Sequence, residues 1–224
     1  MTMHFPSLRF PSVALALLCA GAASVAIAGA SMAATPKPAV TPRISHAYFA
    51  GGCFWCAETA FEGVKGVSTV VSGFTGGPEK HPTYEQVSAG ITGHYESVDV
   101  AYDPSKISYE KLLDIYWHNI DPTQGDGQFC DRGRQYRSVI FVRDSAQASA
   151  ARESKRQLQA SGALAAPIVT AILPAGPFWP AEEYHQDFWK KNPAEYHRYR
   201  EGCGRDRRLD QLWGKDARRG SLPH

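Results

Sequence analysis

A period of two from Tyr95 to Tyr102 predicts a strand with Glu96, Val98, Val100 and Tyr102 on one face. A second alternation, Val67, Thr69 and Val71 against Ser68, Val70 and Ser72, predicts a strand over 66–73 that ends in the glycine-rich loop Gly73 to Pro78. Shorter apolar runs predict strands at 46–50, 136–143 and 168–173, the second with Tyr136 on the face of Ile140 and Val142. Helical spacing takes over elsewhere. Ala57, Ala60, Phe61 and Val64 form one stripe, and Leu112, Leu113, Tyr116 and Trp117 form another within 108–120, which Pro122 ends. A short helix fits 83–89. An exposed one fits 144–161, opened by Asp144 with Gln147 and closed by Gly162. The segment 181–190, with Tyr184, His185, Phe188 and Trp189, reads as a further helix. Strands and helices alternate along the chain, which favours an α/β or α+β domain over an all-β one.

Composition changes this picture mainly at the ends. Residues 1–33 have a weakly basic start, an alanine-rich apolar run and small-residue cleavage patterns at Ala26-Ile27-Ala28 and Ser31-Met32-Ala33, and so read as a secretory signal peptide carrying Cys19. Residues 34–44 read as a Pro-rich linker, 45–203 as one domain and 204–224 as a C-terminal tail. In that tail Arg205, Arg207, Arg208, Arg218 and Arg219 are interleaved with aspartates, a pattern of a solvated segment. The formal charge of +2 does not call for a nucleic-acid partner. Export to a periplasm, or secretion, is the expected location, without stable membrane insertion. Cys53, Cys56, Cys130 and Cys203 remain after export, enough for two disulfides with three possible pairings. Zinc is not expected, since no second CxxC or HxxxH follows Cys53-Cys56. The loop at Gly73 to Pro78 lacks the Lys-Ser/Thr pair of a phosphate loop.

The densest chemistry lies in Gly51-Gly52-Cys53-Phe54-Trp55-Cys56-Ala57-Glu58, which sets Cys53 where a strand hands over to a helix. Unpaired N–H groups at a helix start favour a negative charge, so the Cys53 thiol is expected below its ordinary pKa. Glu96 shares a face with valines. Desolvation there would raise its pKa and make it a proton donor. The polar loop 121–133 carries Cys130 and Asp131 and is long enough to line a site. His185 reads more readily as a structural residue than as a catalyst.

Five motifs in one order then set the chain beside a known family. Gly52-Cys53-Phe54-Trp55 with Glu58, Pro82 to Val87, Thr92-Gly93-His94-Tyr95-Glu96, Asp131 to Ser138, and Tyr184-His185-Gln186 resemble peptide methionine sulfoxide reductase A from about residue 46 to about residue 193. The resemblance implies an α+β domain, its central mixed sheet flanked by helices and of ferredoxin-like plait type. It makes Cys53 the nucleophile, Glu96 the acid, and Tyr84 and Tyr136 donors to the sulfoxide oxygen. Asp131 becomes a polar support, and Phe54 and Trp55 the apolar wall around the substrate methyl. It further implies selectivity for the S epimer of free or peptide-bound methionine sulfoxide, no cofactor, no metal, and a thioredoxin-like reductant. The chain departs from the family's commonest form at Cys56 and Cys130, where glycine and asparagine are usual, and in the spacing around Cys203. Three resolving thiols therefore stay open: Cys203, favoured because Gly202 and Gly204 let it move, then Cys56, then Cys130, alone or in relay. A disulfide oxidoreductase built on Cys53 and Cys56 alone would leave Glu96, Tyr84 and Tyr136 without a role. An exported binding module held by two disulfides would leave no reactive thiol.

Overall fold

The computed structural model describes residues 43–221, so the signal-peptide reading and most of the linker lie outside the described residues. A six-stranded mixed sheet forms the centre. It contains β1 (Ser45–Ala50), β2 (Val67–Thr75), β3 (Tyr95–Tyr102), β6 (Val139–Val142), β7 (Ala171–Pro174) and β8 (Trp179–Pro180), in the order β7-β6-β1-β3-β2-β8. A two-stranded ribbon pairs β4 (Gly127–Gln128) with β5 (Asp131–Arg132). The helices are α1 (Phe54–Phe61), α2 (Tyr84–Ser88), α3 (Tyr109–Trp117), α4 (Ser145–Ala160), α5 (Phe188–Lys191), α6 (Pro193–Gly202) and α7 (Arg205–Trp213). All sheet pairs are antiparallel except β6 with β7. The α+β architecture with a mixed sheet and flanking helices is thus present.

Strand β3 is the spine. It pairs with β1 from Ser45↔Tyr102 to Phe49↔Val98 and with β2 as far as Thr75↔Tyr95. Its predicted face is buried at Glu96, Val98, Val100 and Tyr102, but Tyr95, Ser97 and Ala101 of the other face are buried too, because elements cover both sides. Helices α1 and α3 enclose the main core, where Phe49 stacks on Phe61 and on Tyr116 with ring centroids 5.1 and 4.9 Å apart. The helix caps follow the sequence. Thr83 and Gln86 close a reciprocal capping box on α2, and the Asp144 side chain accepts from the Gln147 N–H at 2.8 Å.

Three expectations are corrected. Tyr136 is not on a strand: it ends a 3₁₀ turn, Arg134–Tyr136, and pairing begins only at Val139. The helix expected over 181–190 is broken into a 3₁₀ turn, Glu183–His185, and α5. The break comes from tertiary hydrogen bonds that win over the local pattern. Gln186 bonds the backbone of Ser72 and Ala181, and the Asp187 N–H donates to Glu58 Oε1 at 2.8 Å. Residues 205–213 are not a loose solvated segment: they form α7, which leaves Arg207 and Asp210 exposed but buries Arg205, Leu209 and Trp213, with the Trp213 indole donating to the Ile120 carbonyl. Among the described residues no helix is long and apolar enough to cross a membrane.

Candidate active site

Strand β1 delivers the chain to Gly51 and Gly52, where it turns sharply into α1. Gly52 has φ +81°, and a Cβ there would lie 2.6 Å from the Gln128 Cβ, so both the turn and the close passage of β4 require glycine. Cys53 is therefore the N-cap residue of α1, as expected, and the first helical N–H, that of Phe54, donates to Glu96 Oε2 at 3.0 Å. That bond ties the start of the helix to the carboxyl on β3. Cys53, Phe54, Trp55, Tyr84, Glu96, Asp131, Tyr136 and Tyr199 line a cavity of about 60 Å³. A larger polar groove of about 460 Å³ runs along Arg132, Cys203, Arg207 and Arg208 but lacks Cys53, so its size does not make it the reaction site.

The electrostatics of the cavity suit proton transfer to a substrate. Glu96 is 2 % exposed, and burial raises its pKa to about 8 against the opposing Phe54 N–H bond, with Asp131 and Cys56 adding to the rise. It is a neutral carboxylic acid at pH 7. Burial, and then the charge of Glu96, also push the Tyr84 and Tyr136 phenols well above their ordinary range, so both remain hydrogen-bond donors. Asp131 Oδ2 accepts the Tyr199 hydroxyl at 2.5 Å, and the neighbouring Cys130 is bonded to Cys203 in a disulfide.

The thiols depart from the expectation. Cys53 is raised well above its ordinary pKa, because it is buried, shares a hydrogen bond with Cys56, and faces Glu96 and Asp131. One turn of helix start does not offset that desolvation. The negative charge moves to Cys56, which burial opposes but the Cys53 hydrogen bond, Arg205, Arg200 and Tyr196 together bring down to about 5. The surroundings of Cys56 are built from α6 and α7. The Tyr196 hydroxyl lies 2.8 Å from Thr59 Oγ1 and accepts from Arg200 Nη1 at 3.0 Å, and Arg200 grips Asp206 through Nε and Nη2 at 2.9 and 2.6 Å. Arg205 donates to the carbonyls of Gly51 and Asn119 at 2.7 and 3.1 Å.

Cys53 and Cys56 are free thiols side by side, whereas Cys130 and Cys203, both expected as candidate resolvers, are joined to each other. Phe54, Trp55, Tyr84, Glu96, Asp131 and Tyr136 all meet at the cavity with Cys53. Sequence reasoning missed Tyr199, Tyr196, Arg200 and Arg205. The one available signal was the helical spacing of Tyr196, Tyr199 and Arg200; Arg205 follows the Gly202-Cys203-Gly204 break and was read with the arginines and aspartates of the tail. His185, read as structural, is buried behind the lining residues Phe54, Trp55 and Tyr84, where its Nδ1 lies 3.1 Å from the Trp55 indole nitrogen.

Comparison with known proteins agrees with this geometry. Residues 45–217 match the family model described as "Peptide methionine sulfoxide reductase". The chain is 52 % identical over 169 residues to the peptide methionine sulfoxide reductase MsrA of Bacillus licheniformis, covering 75 % of this chain and 93 % of that protein. It is 48 % identical over 193 residues to MsrA 2 of Caulobacter vibrioides, covering 86 % of this chain and 95 % of that one. Among solved structures, methionine sulfoxide reductase A of Corynebacterium diphtheriae superposes with a TM-score of 0.64 at 37 % identity, over 68 % of this chain and 77 % of that one. The chain therefore belongs to the peptide methionine sulfoxide reductase family.

Proposed function

We propose that this protein reduces the S epimer of methionine sulfoxide, free or within polypeptides, at Cys53. The observation that carries this reading is a nucleophilic thiol sharing one small cavity with a carboxylic acid held neutral and two phenol donors. Phe54 and Trp55 take the S-methyl group, since thioether sulfur and its methyl pack well on aromatic rings. The sulfoxide oxygen accepts from Tyr84 and Tyr136, and Asp131 supports the polar end of the substrate. Cys53 passes its proton to the Cys56 thiolate and attacks the sulfoxide sulfur, while Glu96 protonates the oxygen. The oxygen leaves the substrate and ends on Cys53, so methionine is released and Cys53 becomes a sulfenic acid. The substrate sulfur is reduced by two electrons and the Cys53 sulfur is oxidised by two.

Cys56 is the thiol that resolves this intermediate. Its hydrogen bond to Cys53 and its low pKa support attack on the sulfenic sulfur, which forms the Cys53–Cys56 disulfide and releases the oxygen as water. A dithiol protein of thioredoxin type would restore both thiols by exchange. Domain 45–203, extended by α7, is the catalytic unit, and export to the periplasm is proposed from the leader alone. The strand order β6-β1-β3-β2 and its antiparallel pairing support the ferredoxin-like plait reading. Turnover of the separated S and R epimers with dithiothreitol tests the function: reduction of S alone, abolished by Cys53→Ser, is expected. Reduction of neither epimer would refute it.

A further inference from the structure

His185 sits in the turn Glu183–His185 and is 1 % exposed, with four aromatic rings around its imidazole. Its centroid lies 5.0 Å from Phe54, 5.7 Å from Trp55, 4.2 Å from Tyr84 and 4.0 Å from Tyr184. Three of these rings line the cavity beside Cys53. Trp55 Nε1 is 3.1 Å from His185 Nδ1. An indole nitrogen can only donate, so Nδ1 must be the unprotonated nitrogen and the ring proton sits on Nε2. The imidazole is therefore neutral in this arrangement.

Trp55 is fixed from a second side by Phe188, which stacks on it at 3.7 Å with ring planes 4° apart. Stacking fixes the plane of the indole, and the hydrogen bond to His185 fixes where its N–H points. Tyr84 is held in the same way by two contacts, its ring against His185 and its N–H donating to Glu182 Oε1 at 3.0 Å. We propose that His185 is a positioning residue, whose neutral imidazole aims the Trp55 indole and the Tyr84 ring at the substrate sulfoxide.

Protonation would turn Nδ1 into a donor facing the indole N–H and break the bond. The charged groups facing His185 are Glu182 on its own turn and Glu85 on α2; Phe54 and Trp55, which α1 presents, carry no charge. Burial holds the imidazole below its ordinary pKa despite the two glutamates. The bond is thus intact at neutral pH and is lost only in acid.

This inference rests on the cavity taking methionine sulfoxide, and the test separates the two. KM and single-turnover rate for N-acetyl methionine S-sulfoxide are measured from pH 5 to 8 in the wild type, His185→Phe and His185→Asn, and the Trp55 indole N–H resonance is followed by NMR. In His185→Phe, KM should rise about fivefold with the rate at saturation within twofold, the size expected for one lost buried hydrogen bond. His185→Asn, whose amide oxygen can replace Nδ1, should restore KM. Wild-type KM should climb only at a pH below the ordinary imidazole value of about 6.5, with the Trp55 resonance moving in step, and His185→Asn should show no such rise. Unchanged KM in His185→Phe, or an identical acid limb in His185→Asn, would overturn the proposal. If the wild type fails to turn over, the functional reading falls, and the pH response of the Trp55 resonance still decides whether His185 holds the indole.

Discussion

Replacing Glu96 with glutamine should have two opposite effects, one on chemistry and one on stability. With a pKa of about 8, roughly nine-tenths of Glu96 is protonated at pH 7 and about one-tenth at pH 9. The first step should therefore slow with rising pH, halving near pH 8 and falling tenfold for each unit beyond it. Glutamine fills the same space but has no proton to give, so Glu96→Gln should lower the single-turnover rate by about 10²–10⁴ and abolish the alkaline limb. Stability follows from linkage. The folded pKa lies above the unfolded value, so the stability Glu96 contributes is fully present below pH 4.5 and is lost as pH rises to about 8. At about 1.4 kcal/mol per unit, that loss amounts to about 5 kcal/mol as an upper scale. Glu96→Gln should escape it. Denaturant unfolding at pH 5, 7 and 9, beside quench-flow measurement of sulfoxide reduction, reads both effects. A wild-type rate that stays flat to pH 9, or parallel stability curves for wild type and variant, would refute a neutral buried Glu96.

Cys56→Ser removes the thiolate that takes the Cys53 proton as well as the resolving thiol, so the first step should slow by about 10²–10⁴, and the Cys53 that does react should persist as a sulfenic acid, seen as a dimedone adduct by mass spectrometry. Loss of the Cys130–Cys203 bond, which closes 73 residues, should cost about 4 kcal/mol in unfolding free energy on the chain-entropy model; Cys130→Ser with Cys203→Ser, compared with oxidised wild type by urea titration, measures it. Arg205→Met should strand the Gly51 and Asn119 carbonyls at about 1–3 kcal/mol each. The same variant should raise the pH at which Cys56 ionises, read as thiolate absorbance in a Cys130→Ser, Cys203→Ser background.

Much of the fold was legible because period-two and helical patterns coincide with its elements. Tyr95 to Tyr102 is a strand over those same residues, and Asp144 caps its helix through Gln147 as the sequence predicts. What stayed hidden depends on distant partners. Asp187 adopts a left-handed backbone, φ 52°, and its N–H bonds Glu58, so a helix pattern over 181–190 could not survive. Arg205 looks like a tail residue until Gly51 and Asn119 are brought to it by the fold. At the site, the strand-to-helix position of Cys53 and the apolar face carrying Glu96 were both readable. The pKa of Cys53 was not, because the helix start is local whereas desolvation and the cationic pair beside Cys56 come from α6 and α7. Tyr136 reached the cavity, though from a turn rather than a strand.

The catalytic cycle turns on which sulfur meets the oxidised Cys53. Reduced protein is mixed with one equivalent of methionine S-sulfoxide, quenched with acid and alkylating agent, and digested for disulfide mapping. A Cys53–Cys56 bond forming at the rate of sulfoxide loss is the predicted result. A Cys53–Cys203 or Cys53–Cys130 bond appearing first, with Cys56 alkylated, would contradict it.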